Sequence, residues 1–148
     1  MAQKLYNLQL TEKQLLLLAE AANLMQRVQL GQWREIEDNL PLQRPIDYEQ
    51  LHKDFIVIGE ILSSHLIDGI DGRFSSLGIG SNNLPKSNSI LYDLRTTIEH
   101  KVSWERAVEQ GIIESESSPR KWPEMMTVNF DPPMKWSDEP LPKITRIK

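Results

Sequence analysis

Leu10-Thr11-Glu12-Lys13-Gln14-Leu15-Leu16-Leu17-Leu18-Ala19-Glu20-Ala21-Ala22-Asn23-Leu24-Met25-Gln26-Arg27-Val28 decides the class of this fold. Thr11 suits a helix N-cap, and Gln14 three residues on completes a capping box. Leu10 before the cap and Leu15 after it form the pair of a hydrophobic staple. Leu17, Ala21, Leu24 and Val28 then recur at helical spacing, with Leu18, Ala22 and Met25 widening the stripe. No strict alternation competes with this reading, so the segment is predicted to be a helix. Gly31 weakens it, but Gln32-Trp33-Arg34-Glu35-Ile36 extends the same pattern. Asn39 and Pro41 are the predicted stop.

A second helix opens in the same way. Asp47 is its cap and Gln50 the partner, while Ile46 and Leu51 staple it. Leu51, Phe55, Ile58, Leu62 and Leu66 form one stripe. Ile56, Val57 and Ile61 make further faces apolar, the mark of a central helix or an oligomer interface. Gly69 suits the C′ position. A long Gly- and Asn-containing connection runs from Gly69 to about Asn88. Loops of that length are uncommon and often functional, so this one is a candidate ligand-contacting segment. A third helix is predicted from Ser87 or Ser89, with Leu91, Leu94, Ile98 and Val102 as its buried stripe and Gly111 as its end.

The remainder differs in kind. From Ser115 onward lie six of the nine prolines and two of the four tryptophans. Pro132 and Pro133 forbid a continuous helix there, because proline lacks the N–H that a helix interior requires. Met126–Phe130 and Lys143–Lys148 are candidate strands of a small β-hairpin. The segment is apolar enough to need a surface to lie on. The surplus apolar area of helix two makes that helix the expected surface, in the same subunit or the next. The expected fold is therefore mainly α. It is a three-helix antiparallel bundle with an extended Pro/Trp-rich C-terminal arm. It forms a single domain over 1–148, with a helical body over about 10–112 and the arm over about 115–148.

Composition excludes several classes. The 148 residues suffice for one ordinary core. Cysteine is absent, which removes disulfides and thiolate metal sites. The N-terminal residues lack a signal-peptide core, and Leu15–Ala19 and Phe55–Ile58 are too short to span a bilayer. A soluble protein without membrane attachment is expected. The formal charge is −4 and well mixed. Nucleic-acid binding leans on clustered Lys and Arg, and no such cluster occurs. His52, His65 and His100 lack zinc-ligand spacing, so no metal is expected, and His65 reads as a hydrogen-bonded core residue. Asp68-Gly69-Ile70-Asp71-Gly72 lacks the alternating acids and closing Glu of a calcium loop. Gly78-Ile79-Gly80 without a following P-loop lysine reads as a linker. There is no GxSxG elbow, and the carboxylate groups at Glu35/Glu37/Asp38 and Glu114/Glu116 lie in polar surroundings. An enzyme is not expected, and neither is a cofactor.

The third helix carries the densest polar set. Tyr92, Arg95, Glu99, His100, Ser103 and Arg106 recur at three- and four-residue spacing along one side. Read as a pocket wall, Arg95 and Arg106 would hold an anionic group. Tyr92, Trp104 and Trp136 would stack on a planar ring, and His100 would orient it. Read as an ordinary exposed face, the same residues would form a few salt bridges.

Three passages carry a resemblance. They are Leu10–Ile36 with its Val28-Gln29-Leu30-Gly31-Gln32-Trp33 turn, Tyr92-Asp93-Leu94-Arg95 through Trp104-Glu105-Arg106, and Val128–Met134 with Ser137–Ile144. Together they resemble small uncharacterised proteins encoded by bacterial phages and prophages. The resemblance implies a setting, a phage accessory protein in the host bacterial cytoplasm, and assigns no chemistry to any residue. Some such proteins sequester nucleotide-derived immune signals, and others block a host protein. The expected function is thus non-enzymatic, possessing one of two forms. In the first, an anti-defence protein sequesters a small nucleotide-like ligand and forms a homo-oligomer. In the second, an interaction module inhibits a host protein or regulates phage functions through its C-terminal arm.

Overall fold

The computed structural model describes residues 4–39, 47–66, 76–111 and 134–147. The chain is mainly helical, as expected. Its helices are α1 (Glu12–Gln29), α2 (Arg34–Asn39), α3 (Tyr48–Leu66) and α4 (Lys86–Glu109). No strand occurs among the described residues. Residues 143–147 form no strand, and the partner strand expected over 126–130 lies outside the described residues.

α1 begins as predicted. The Gln14 N–H donates to Thr11 Oγ1 at 3.2 Å, and the Thr11 N–H donates to Gln14 Oε1 at 2.9 Å. The helix does not run on to Ile36. Gly31 takes a φ of 81°, which a side chain would resist. The Gly31 N–H bonds the Val28 carbonyl at 3.0 Å, and the Gln32 N–H bonds the Arg27 carbonyl at 2.9 Å. That pair of bonds is a Schellman motif, which closes α1 and makes α2 a separate helix. Gly111, at φ 67°, ends α4 where the sequence placed the stop. α4 begins at Lys86 rather than at a serine cap. Pro85 is its N-cap and makes no side-chain capping bond.

α1 and α4 pair antiparallel. Glu12 at the start of α1 meets Arg106 at the end of α4, while Gln29 at the end of α1 meets Ser87 at the start of α4. Ala19, Ala22 and Ala107 keep the seam close, with Ile98, Val102 and Trp104 buried beside them. Leu15, Leu16, Leu94 and Ile144 pack around the Ala19–Ile98–Val102 cluster. The α1 stripe is therefore shifted in phase from the expected one. Leu17 is 63% exposed, and Met25 is exposed as well. Four consecutive leucines make several faces of α1 apolar, and the alanines decide among them by permitting close approach to α4.

α3 stands apart from that pair. It approaches α2, but no Cα of α3 lies within 8 Å of a Cα in α1 or α4. These contacts do not build the expected three-helix antiparallel bundle. Trp33 links α3 to the body. Its indole N–H donates to Ser63 Oγ at 2.8 Å, and its ring lies where a Cβ on Gly59 would come within 3.1 Å. Val57, Ile58 and Ile61 remain exposed. His65, expected in the core, is also exposed. It sits on a helix that no described element covers on that side.

Residues 134–147 lie on α1 and α4 rather than on α3, and the rest of the expected arm, 115–133, lies outside the described residues. Ile144 packs against the central cluster, and Arg146 pairs with Glu109 at the end of α4. That hydrogen bond, with the charge of Glu109, holds the Arg146 guanidinium above its ordinary pKa.

Ile98 is fully buried at the centre of the seam. Truncation to alanine removes three methyl or methylene groups and leaves a cavity, a loss of about 3 kcal/mol. Thermal unfolding of Ile98→Ala should show a midpoint about 10 °C below that of the parent chain.

Candidate functional site

α4 is long enough to separate the predicted site residues. Fourteen residues divide Tyr92 from Arg106, a rise of about 21 Å along a helix. The six candidates accordingly fall into three groups.

Arg106 belongs to the far end of the seam. Its Nε and Nη2 donate to Glu12 Oε1 at 2.9 and 2.6 Å on an exposed surface. That pairing ties the start of α1 to the end of α4 and occupies the guanidinium. His100 and Trp104 form the second group. The Trp104 indole N–H donates to His100 Nε2 at 2.9 Å, which assigns the remaining ring proton to His100 Nδ1. Trp104 is buried, so its ring faces are packed rather than offered to a ligand.

Tyr92, Arg95 and Trp136 are brought together. Trp136 meets Tyr92 edge-on, with ring centroids 6.5 Å apart and planes at 77°. Arg95 Cζ lies 5.4 Å from the Tyr92 ring centroid, within cation–π range. Arg95 Nη1 donates to Asn23 Oδ1 at 2.8 Å, which anchors the guanidinium to α1. Arg95 Nε is buried and has no hydrogen-bond partner among the described residues. The nearest carboxylate in its ion pair, Glu99 Oε2, stands 3.9 Å away.

The glycine loop closes the other side of this corner. The Leu77 N–H bonds the Leu30 carbonyl at 2.9 Å, and Gln32 Nε2 donates to Ser76 Oγ at 3.4 Å. These bonds pin the loop to the turn after α1. Further along, a Cβ on Gly80 would lie 3.4 Å from the Trp136 ring. The indole thus sits between Gly80 and Tyr92, in the slot between loop and helix where sequence reasoning expected a ligand.

Asp93 was missed, and it organises the site. It is buried, and its carboxylate accepts three bonds from the C-terminal segment. The Trp136 N–H donates to Oδ1 at 2.9 Å, while the Ser137 N–H and hydroxyl donate to Oδ2 at 2.9 and 2.6 Å. Two successive amides and a hydroxyl around one carboxylate form a charge-assisted clamp. A signal was present in the sequence, since Asp93 interrupts the apolar run between Leu91 and Leu94. A buried acid at such a position requires partners. Asn23, the arginine anchor, carried no comparable signal.

Among the described residues no group of three or more His, Asp or Glu side chains is placed to hold a metal ion. No described helix is long and apolar enough to cross a membrane. No protein-family model matches the chain, and neither a curated protein nor a solved structure shows significant similarity to it.

Asp93→Ala would leave two amides and a hydroxyl without their acceptor. Hydrogen bonds to a charged group contribute about 1.5–3 kcal/mol each, so a net loss of about 2–4 kcal/mol is expected once water replaces part of the clamp. Hydrogen exchange should show the Trp136 and Ser137 amides losing protection, while the amides of α1 keep theirs.

Proposed function

We propose that this chain is a non-enzymatic protein that binds and sequesters a small, planar, anionic ligand of nucleotide type. The ligand would enter the slot between α4 and the 76–85 loop. The setting is the one its resemblance implies, a phage accessory protein acting in the host bacterial cytoplasm. The supporting observation is that a planar ring already occupies this slot. The Trp136 indole lies against Tyr92 and Gly80, with Arg95 behind the tyrosine ring. A purine is comparable in size and shape to an indole. Arg95 supplies the cationic partner, and its buried Nε has no hydrogen-bond partner among the described residues. His100, Trp104 and Arg106 take no part in this version, because the helix places them away from the slot or they are engaged elsewhere.

Thermal shift tests this reading. Adenine and guanine mononucleotides and cyclic nucleotides at near-millimolar concentration should raise the unfolding midpoint. A ligand at a hundred times its dissociation constant stabilises the folded state by about 2.7 kcal/mol. Tyr92→Ala and Arg95→Met should remove the shift. A flat response to every nucleotide would refute the proposal.

A second reading rests on a different observation. Val57, Ile58 and Ile61 on α3, and Leu17 and Met25 on α1, present exposed apolar side chains on two helices. Apolar stripes of this kind mark protein contact surfaces. In this reading α3 meets a second copy and completes there the helical bundle that the sequence pattern anticipates. Sedimentation of the full chain should then show a dimer or larger oligomer, reduced to monomer by Ile58→Asp with Ile61→Asp. A monomeric parent chain at high micromolar concentration would exclude self-association.

A further inference from the structure

We propose that residues 134–147 are a displaceable plug, in which Trp136 stands in for the ligand's ring and the Asp93 clamp is the catch that holds it. This inference rests on the ligand-binding reading of the same slot and adds its regulation. Ligand entry and strap release are one competition for one place.

The contacts of the strap support this division of roles. Two sets of contacts hold it. At one end, Asp93 holds the Trp136 and Ser137 amides and the Ser137 hydroxyl. At the other, Ile144 packs on the α1/α4 cluster and Arg146 pairs with Glu109 on the surface. Between them Asp138, Pro140, Leu141 and Lys143 are exposed. Pro140 and Pro142 have no N–H to donate, so no continuous ladder of backbone bonds ties this stretch to the helices. A segment fastened at separate points opens from one end without unfolding the body beneath it.

The plug itself is only partly seated. Trp136 is 42% exposed, so its departure uncovers less apolar surface than that of a core tryptophan. Its ring stands nearly perpendicular to that of Tyr92, so the present contact is not a stack, and a ligand ring could replace it by stacking on the tyrosine. Withdrawal of the indole would also uncover Asp93. A buried carboxylate left without donors is costly. A successful ligand therefore needs hydrogen-bond donors beside its planar ring, as the exocyclic amino groups of purines provide, while its anionic group reaches Arg95. This requirement narrows the ligand class to planar rings that carry both an N–H donor edge and an anionic tail.

The test uses the full chain and two probes, AMP and GMP, with binding measured by titration calorimetry. Trp136→Ala removes the competing ring and leaves the clamp amides in place. It should bind at least one nucleotide about tenfold more tightly than the parent chain. Tyr92→Ala added to that variant should cancel the gain. Hydrogen exchange of the parent chain gives a second, independent readout. Bound nucleotide should then speed exchange at the Trp136 and Ser137 amides. Weaker binding by Trp136→Ala would make the indole a wall of the site, overturning the plug and keeping the ligand-binding reading. Unchanged affinity, or unchanged exchange at both amides with nucleotide bound, would also overturn the plug alone. Absence of binding by every form of the protein would overturn both.

Discussion

The seam between α1 and α4 is the constraint on which every other described element depends. It is close because alanines line it, and it is in register because polar side chains pin one end. Asn88 is fully buried, and its amide donates to the Gln26 carbonyl at 3.1 Å and to Gln29 Oε1 at 3.3 Å. A buried amide of this kind fixes alignment, since sliding by one turn would strand its donors in an apolar environment. At the opposite end, Arg106 and Glu12 mark the same alignment from the surface. With the register set, the carbonyl of Leu30 is placed to receive the glycine loop, Asn23 to receive Arg95, and Asp93 to receive the C-terminal segment.

Two kinds of attachment hang from that seam, and they differ in physical character. The strap and the loop are attached by directed polar bonds: a carboxylate clamp, a backbone N–H to a helix-end carbonyl, an amide to a serine. α3 is attached through the Trp33 ring, laid against Gly59 with its indole N–H on Ser63, and through His52 Nδ1, 3.2 Å from Glu37 Oε2 on α2. Directed bonds define position sharply but extend over few atoms. Val57, Ile58 and Ile61 of α3 remain exposed.

Much of the local structure was legible in the residues. The Thr11/Gln14 box, the glycine stop at Gly111 and the helical spacing of Leu94, Ile98 and Val102 are nearest-neighbour matters, and each appears where it was read. The error at Gly31 has a simple source. Apolar periodicity continues through Trp33 and Ile36 and outweighed the weak point at Gly31, whereas the left-handed glycine and its two bonds close the helix regardless. The phase of α1 was misread because Leu15–Leu18 satisfy several stripes at once. Of the six candidate site residues, Tyr92, Arg95 and Trp136 converge. His100, Trp104 and Arg106 share the helix but are engaged by one another or by Glu12. Common spacing on a helix of this length does not place residues in one pocket.

By itself, then, the sequence determined that this chain is mainly helical, where α1 and α3 begin and where α4 ends, and that no cysteine is present for thiolate chemistry. Those are local properties, set by caps, glycines, prolines and composition. Only the tertiary structure decided which leucines face inward, that α3 stays clear of the α1/α4 pair, and that a single carboxylate at Asp93 captures Trp136 and Ser137. These outcomes depend on distances between residues far apart in the chain. Such distances follow from how closely two helices approach, and the alanines of the seam set that approach.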